Sequence, residues 1–230
     1  MDLSVCQLGR VPYEEALALQ HRLRDARQAG RTPDVLLLLE HDPVYTRGRR
    51  TVPGELPMGE GWYRERGIDI VDVDRGGKVT FHGPGQLVGY PIMAVDDVVA
   101  HVRTMERAII AALGDEGIDA RSRADEGRDF TGVWVEDRKI ASIGVHVQKG
   151  VTTHGFAVNV DGALEPWEWI VPCGLGGVRM TSVLAEAGRA DMACFRKRMA
   201  HRFAEAVGQR QRLVTPGRLM SGYAPASALS

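Results

Sequence analysis

A single cysteine in a turn-forming segment carries the most specific chemical signal in this chain. Cys173 follows Pro172 and precedes Gly174, within the run Ile170-Val171-Pro172-Cys173-Gly174-Leu175-Gly176. Proline restricts φ on one side of the thiol and glycine frees the backbone on the other, so we expect the side chain to be presented on a defined turn. A thiol placed in this way can accept an acyl group onto sulfur and pass it to a second acceptor.

The attacking species of such a thiol is the thiolate, whereas a free cysteine titrates near pKa 8.5. A neighbouring cation lowers that pKa, and Lys139 is the best candidate for it. Lys139 opens the strand-like run Lys139-Ile140-Ala141-Ser142-Ile143-Gly144-Val145. A structural cysteine in a turn is the alternative, but the flanking proline and glycine and the motifs below favour a catalytic Cys173–Lys139 pair.

The composition indicates a soluble globular protein. The 230 residues are 44% hydrophobic and 26% charged, and the net charge is −1. The near-neutral charge argues against a nucleic-acid binder, and no apolar run is long enough to cross a bilayer. Three widely spaced cysteines do not form a disulfide or metal-binding pattern, and no signal peptide is visible at the N-terminus. We therefore expect a cytoplasmic protein whose thiols stay reduced.

Periodicity and turn signals predict alternating helices and strands in the first half of the chain. Pro12 is predicted at the first position of a helix that stops at Gly30, and Asp96 or Asp97 is predicted to cap a second helix. The strands predicted between these helices are Val35 to Leu39, Ile68 to Val73 and Leu87 to Met93.

The second half predicts a three-stranded meander followed by two helices. The meander strands are Gly132 to Val135, Lys139 to Val147 and Val151 to Val160; Ser182 caps a short helix, and a longer one contains Phe195, Met199 and Phe203. Such an arrangement predicts an α+β, or mixed-sheet α/β, fold. We predict one catalytic domain over residues 1–215 and a loose tail over residues 216–230, which are rich in Pro, Gly, Ser and Ala.

Between two predicted strands lies the densest run of special residues, Arg75-Gly76-Gly77-Lys78-Val79-Thr80-Phe81-His82-Gly83-Pro84-Gly85-Gln86-Leu87-Val88-Gly89-Tyr90-Pro91-Ile92. Adjacent glycines let a backbone approach a ligand closely and turn N–H groups towards an oxygen. This run closely resembles the lipoyl(octanoyl) transferase family. The resemblance extends over most of residues 5–190, including the runs Leu38 to Arg49, Lys139 to Val145, His154 to Val160 and Ile170 to Gly174.

The resemblance implies a mixed β-sheet flanked by helices, as in the biotin and lipoate protein ligases. It implies that Cys173 carries the acyl group as a thioester and that Lys139 lowers its pKa. The implied donor is octanoyl-acyl carrier protein, and the implied acceptors are lipoyl domains of 2-oxoacid dehydrogenase E2 subunits and the glycine cleavage H protein, with no cofactor. The implied substrate-binding residues are Arg75, Gly76, Gly77, Lys78, Val79, Thr80, Phe81, His82, Ser142, Ile143, Gly144, Gly155, Phe156 and Ala157.

Two positions depart from the family pattern: Ser142 replaces the more usual alanine, and Phe81 stands where tyrosine or tryptophan is common. Among the seven histidines, His41 and His154 are further candidates for the pocket. A metal site is not expected, because no short-spaced ligand pair is present. The cations Arg47, Arg49 and Arg50, and Arg196 to Arg198, are candidates for docking acidic partner proteins.

Three other functions remain open at this point. An ATP-dependent lipoate or biotin ligase would share the fold, but it would need no cysteine nucleophile. A noncatalytic module that binds lipoyl domains or acyl carriers would have no use for an activated thiol. A Cys–His hydrolase requires that His82 or His154 lie near Cys173. Labelling by an octanoyl donor without nucleotide distinguishes the transferase from the first two.

Overall fold

The computed structural model describes residues 2–171 and 177–221. The first half of the chain contains β1 (Asp2–Arg10), α1 (Tyr13–Gln28), β2 (Asp34–Glu40), β3 (Val44–Arg47), α2 (Glu60–Arg64), β4 (Asp69–Asp72), β5 (Thr80–His82), β6 (Gln86–Ile92) and α3 (Val98–Gly114). The second half contains β7 (Arg121–Ser122), β8 (Gly132–Val135), β9 (Arg138–Gln148), β10 (Val151–Asn159), β11 (Arg179–Met180), α4 (Val183–Ala187), α5 (Met192–Ala206), β12 (Arg210–Val214) and α6 (Pro216–Ser221).

These strands form a large mixed sheet and a small one. The large sheet runs in the order β12-β1-β2-β6-β10-β9-β8-β7, with β11 paired to β9. Strand β1 is parallel to both of its neighbours, whereas the path from β2 through β6, β10, β9 and β8 is antiparallel. The small sheet has the order β4-β3-β5. The predicted α+β fold, a mixed sheet flanked by helices, is confirmed.

Burial on both faces explains the continuous apolar run of β2. Alternate residues of a strand point to opposite faces of its sheet. Leu36 and Leu38 enter the core under α3 and α5, while Val35, Leu37 and Leu39 enter the core under α1. Because both faces are covered, a polar residue in this strand would be buried, and the sequence accordingly contains none between Val35 and Leu39.

The capping residues predicted for two helices are confirmed. Asp97 caps α3, since its carboxylate accepts hydrogen bonds from the N–H groups of Val99 and Ala100. Ser182 caps α4 in the same way through Ala185. Pro12, predicted as the first helical residue, instead occupies the N-cap of α1. No helix in the described part of the chain has the length and apolar character needed to span a bilayer.

The C-terminal segment differs from its prediction. Residues 216–221, expected to be loose, form α6, and Leu219 is buried in the core beneath the large sheet. Strand β12, which precedes α6, pairs in parallel with β1. This long-range pairing orders the C-terminal segment despite its loop-like composition. Residues 222–230 lie outside the described residues. Strands β1, β3, β5 and β12 were also not predicted, because their pairing partners are distant in sequence.

The small sheet supports the chain that leads to Cys173. Its core contains Tyr45, Tyr63, Phe81, Trp167 and Ile170. Tyr63 donates a hydrogen bond to the carbonyl of Trp169 (2.6 Å), and Val171 N–H donates to the carbonyl of Glu55 (3.0 Å). The chain is therefore anchored up to Val171. The segment 172–176, which contains Cys173, lies outside the described residues.

Candidate active site

A cavity of about 710 Å³ brings together residues from β9, β10, α3 and the loop after β4. This volume lies within the usual range for a small-molecule site. The residues predicted from the sequence that line it are Arg75, Gly76, Gly77, Lys78, Val79, Thr80, His82, Lys139, Ser142, Ile143, Gly144, His154, Gly155, Phe156 and Ala157. Segments far apart in sequence therefore meet around one space.

The glycine-rich loop is attached to β9 on one side and to the end of β3 on the other. Gly76 N–H donates to the carbonyl of Val145 (2.9 Å), and a Cβ on Gly144 would lie 2.9 Å from the carbonyl oxygen of Gly76. A Cβ on Gly48 would lie 2.6 Å from the carbonyl oxygen of Gly77. Glycine is required at positions 48 and 144 because backbones approach each other closely there.

Arg75 is a buried cation in the cavity wall. Its Nη2 donates to the carbonyl and to the hydroxyl of Thr46, both at 2.7 Å, and its Nη1 donates to the carbonyl of Gly76 (3.1 Å). A buried charge requires such hydrogen bonds. Arg75 therefore ties β3 to the glycine-rich loop while it borders the cavity.

Lys139 is also buried, with 1% of its surface exposed, and it borders the same cavity. Its Nζ lies 5.2 Å from the ring centroid of Trp134. The chain that follows the Cys173 segment is bound beside it, because Met180 pairs with Lys139 and Thr181 N–H donates to the Lys139 carbonyl (3.0 Å). Since Cys173 itself is outside the described residues, the Cys173–Lys139 pair stays a prediction.

His154 has an unusual backbone and a specific pair of partners. Its φ is +59°, which is uncommon for a residue other than glycine. Phe156 and Val158 of the same strand enter the core under α3 and α5, whereas the His154 ring bonds to Tyr13 of α1 (3.4 Å). The left-handed φ thus interrupts the alternation of β10 and directs this ring towards the α1 side.

Asp74 orients the His154 ring. His154 Nε2 lies 2.7 Å from Asp74 Oδ1. Because an ionised carboxylate can only accept a hydrogen bond, His154 Nε2 is the donor. The hydrogen bond from His154 lowers the pKa of Asp74 to about 2, and burial lowers the pKa of His154. The ring is therefore neutral at pH 7, with its proton on Nε2, and Nδ1 accepts from the Tyr13 hydroxyl.

His41 supports the wall from behind. Its Nδ1 donates to the carbonyl of Val11 and its Nε2 accepts from the Tyr90 hydroxyl, both at 2.7 Å. Burial lowers the pKa of His41 to about 4, so this ring is also neutral. His41 does not line the cavity as expected; Tyr90 stands there, and a short hydrogen bond fixes its hydroxyl.

His82 belongs to a network that reaches the chain after Cys173. Its Nδ1 donates to Gln86 Oε1 (2.8 Å), and Gln86 Nε2 donates to Asn159 Oδ1 (3.0 Å). Asn159 in turn donates to the carbonyl of Thr181 (3.0 Å), whose N–H bonds to Lys139. Burial lowers the pKa of His82 well below its ordinary value, which leaves the ring neutral and its tautomer set by Gln86.

The buried neutral state of His41 predicts acid-sensitive stability. Its pKa falls from 6.5 to about 4 on folding, so the unfolded chain binds the proton more tightly. Stability should therefore fall as pH drops below 6.5, by up to about 1.4 kcal/mol per pH unit from this residue. Urea unfolding at several pH values should show a flatter slope for His41→Gln, but not for His201→Gln, which alters an exposed histidine. Parallel profiles for wild type and His41→Gln would contradict this.

Phe81 also lies elsewhere than expected. Its ring packs against Tyr45 and Trp167 in the small core and does not line the cavity. The family resemblance implied that every residue from Arg75 to His82 binds substrate. Because residues 80–82 form β5, alternate side chains point to opposite faces, and Thr80 and His82 reach the cavity while Phe81 does not.

Several lining residues were missed by the sequence analysis. They are Tyr13, Tyr90, Val98, Val99, Val102, Arg103, Arg128, Asp129, Thr131 and Val145. Two adjacent valines at the start of an amphipathic helix were a usable signal, because neighbouring helix positions do not share one buried face. In the structure both valines are exposed. Asp74, which does not line the cavity but orients His154, was missed as well, although it directly precedes Arg75 in the sequence.

One apolar and two polar features of the wall bear on ligand binding. Val102, Ile143 and Val145 pack against the core under α3 and extend it to the cavity. Within the described residues, the hydroxyls of Thr80 and Ser142 are buried at the cavity without a hydrogen-bond partner. Such orphaned hydroxyls are ready to contact a polar atom of a ligand.

The arginines of the predicted cationic clusters differ in whether they already form ion pairs with acidic residues of this chain. Arg47 binds Asp72 and Glu60, Arg50 binds Asp129, Arg196 binds Glu40, and Arg198 binds Glu116. Arg49 and Arg128 are exposed, line the cavity, and have no ion-pair partner among residues 2–171 and 177–221. Positive charge without an ion-pair partner among the described residues is therefore present at the cavity rim.

The fold resembles those of known ligases. A lipoate-protein ligase A bound with ATP matches 97% of this chain and 93% of its own, with a TM-score of 0.77 and 20% identity. The bipartite lipoate protein ligase of Thermoplasma acidophilum gives a TM-score of 0.72 at 19% identity, over 97% of this chain and 91% of its own. At sequence identities of 19–20%, these similarities show a shared fold and nothing more.

Sequence similarity is more specific. Residues 12–204 match the model of the lipoyl protein ligase A/B catalytic domain. An octanoyltransferase of Mycobacterium ulcerans is 48% identical over 81% of this chain and 80% of its own, and one of Solibacter usitatus is 47% identical over 86% and 90%. The chain thus belongs to the octanoyltransferases within the lipoyl protein ligase A/B catalytic domain family and is an acyltransferase.

Proposed function

We propose that this enzyme transfers an octanoyl group from octanoyl-acyl carrier protein to a lysine of a lipoyl domain, through a thioester on Cys173, as the first step of endogenous protein lipoylation. The observation that carries the proposal is the buried Lys139 in the cavity wall, with the chain that follows the Cys173 segment hydrogen-bonded beside it. An activated thiol and a cavity for an acyl chain would then share one site.

Two transfers suit these groups. In the first, the thiolate of Cys173 attacks the donor thioester, the new carbon–sulfur bond forms, and the carrier thiol leaves with a proton. Both thioesters have similar energies, so no nucleotide is needed. In the second, the lysine amine of the acceptor attacks and the Cys173 thiolate leaves as the more stable amide forms. Lys139 would stabilise the thiolate and exchange protons with these partners.

An oxyanion forms in both transfers and needs donors. Gly76 N–H is already used by Val145, whereas Gly77 N–H has no hydrogen-bond partner within the described residues. The unpartnered hydroxyls of Thr80 and Ser142 border the same cavity. We assign Gly77 N–H and these two hydroxyls as the donors for the carbonyl oxygen, in agreement with the usual composition of oxyanion sites.

The octanoyl chain would occupy the apolar part of the wall. Val102, Ile143 and Phe156 provide it, and burial contributes about 0.8 kcal/mol per methylene. Because one methylene changes binding by only about 1–3 kcal/mol, acyl chains of neighbouring length should compete.

Mixing the protein with octanoyl-acyl carrier protein, with and without Mg-ATP, tests the proposal by intact mass. We expect a gain of one octanoyl group without nucleotide, followed by its loss when a lipoyl domain is added. Labelling that requires ATP would indicate a ligase. An absence of covalent labelling, together with continued transfer, would contradict the thioester.

Acidic partner proteins would meet the cationic rim of the cavity. The Thermoplasma acidophilum ligase that shares this fold is described with an E2 lipoyl domain, which supports a protein acceptor here. Replacing Arg49 by glutamate should raise KM for the carrier protein several-fold and weaken its salt dependence, because rim charges act mainly on association. Arg31→Glu, an exposed cation away from the cavity, is the matched control. Equal KM values for both variants would contradict docking at this rim.

The thiol mechanism also leads us to infer a reducing compartment, such as the cytoplasm. A thiolate that must attack a thioester repeatedly is lost if it is oxidised.

A further inference from the structure

A buried carboxylate on α3, not used in the reaction above, contacts the strand beside Lys139. Glu106 is 1% exposed, and carboxylates are rarely so buried unless they are paired. Its Oε2 accepts from Arg103 (2.5 Å) and from the Ser122 hydroxyl (2.7 Å). Its Oε1 accepts from the main-chain N–H of Gly132, at 3.1 Å.

Gly132 is packed directly against the Lys139 side chain. A Cβ at this position would lie 2.8 Å from Cε and 3.4 Å from Nζ of Lys139, and 2.4 Å from the carbonyl oxygen of Ala141. Its φ of +133° is a conformation that residues with side chains rarely adopt. The backbone of Gly132 therefore forms one wall of the slot that holds the lysine.

The pairing of β8 with β9 is irregular at this point. The register shifts between Val133 and Trp134, so that Trp134 pairs with Lys139. Such a bulge redirects side chains. The Lys139 side chain thus lies between the Trp134 ring and the main chain of Gly132, and a displacement of Gly132 would open the slot.

We propose that Glu106 is a positioning residue for Lys139. Its Oε1 holds the N–H of Gly132, and the main chain of Gly132 in turn fixes the position of the Lys139 ammonium group in its slot. This inference rests on the proposed function, since Lys139 must activate Cys173 for its position to matter. Arg103 neutralises the carboxylate, so the hydrogen bond to Gly132, and not the negative charge, is the feature that Lys139 needs.

Two conservative variants separate these roles. Glu106→Gln loses the charge but can keep an oxygen on the Gly132 N–H, because its amide N–H₂ can donate to the Ser122 hydroxyl while the Arg103 side chain, which is 32% exposed, turns to solvent. Glu106→Asp keeps the charge but withdraws it by one methylene from Gly132. Ser122→Ala is the matched control, because it removes a hydrogen bond from the same carboxylate and leaves Gly132 untouched.

The experiment measures the rate at which iodoacetamide alkylates Cys173 as a function of pH. All variants are made in the full chain with Cys194→Ala, so that the exposed Cys194 does not react. Thermal unfolding first shows that each variant is folded. We expect Glu106→Asp to raise the apparent pKa of the thiol by roughly one unit. Glu106→Gln and Ser122→Ala should leave it unchanged. The rate of octanoyl transfer should follow the thiolate fraction, while KM for the carrier protein stays constant.

A shift in Glu106→Gln, whether or not Glu106→Asp also shifts, would overturn the inference, because the charge would then be what matters. An unshifted Glu106→Asp would overturn it too. Lys139→Met in the same background distinguishes this failure from failure of the proposed function. If Lys139→Met moves the profile and Glu106→Asp does not, only the positioning role is wrong; if neither does, the Cys173–Lys139 pair is wrong.

Discussion

Replacing Cys173 by alanine should abolish the covalent octanoyl adduct and lower the rate of transfer by roughly 10⁴-fold or more, as the loss of other catalytic nucleophiles does. Neither of the other cysteines can substitute for it. Cys6 is fully buried, and burial raises the pKa of its thiol to about 11. Cys194 is exposed on α5 and does not line the cavity.

The measurement is intact mass after incubation with octanoyl-acyl carrier protein, combined with multiple-turnover transfer to a lipoyl domain. Cys194→Ala is the matched control and should keep both the adduct and the rate. An adduct that persists in Cys173→Ala, or disappears in Cys194→Ala, would refute the assignment of the nucleophile. Transfer at the wild-type rate by Cys173→Ala would instead indicate direct attack of the lysine on the donor.

Replacing Lys139 by methionine should lower transfer by about 10²–10⁴-fold, the usual contribution of a positioned acid–base group. Methionine is similar in length and apolar, so it fits the buried slot between Trp134 and Gly132. The variant should therefore fold. Without the cation, the thiol should titrate closer to its ordinary value near 8.5, and raising the pH should restore part of the lost rate.

Alkylation rates against pH check this directly, together with transfer rates between pH 6 and 9. Lys197→Met is the matched control, since Lys197 is exposed on α5. We expect it to leave both profiles unchanged. Superimposable alkylation profiles for wild type and Lys139→Met would show that the ammonium group does not act on the thiol.

Much of the fold follows from local patterns. The meander of β8, β9 and β10 was predicted because short apolar strands are separated by the turns at residues 136–137 and 149–150. The caps of α3 and α4 were predicted because aspartate and serine side chains accept hydrogen bonds from nearby N–H groups. These interactions join residues close in sequence, so a pattern of residue types is sufficient to identify them.

Other elements depend on partners that no local pattern reveals. Strand β12 is rich in arginine and becomes a strand because it pairs with β1, about the whole length of the chain away. Helix α6 follows it and is ordered by burying Leu219. The same holds for β3 and β5, which pair with each other and place Thr80 and His82, but not Phe81, at the cavity.

For the site, residue types alone led to the proposed chemistry: a thiol between proline and glycine, a lysine at the start of a strand, and a glycine-rich run. Only the tertiary structure decided which residues support them. His154 faces Asp74 and Tyr13 because its φ is left-handed, and Glu106 reaches Gly132 because α3 packs across β8. Burial, main-chain hydrogen bonds and helix–sheet packing set such contacts, and these arise between segments that meet only when the chain is folded.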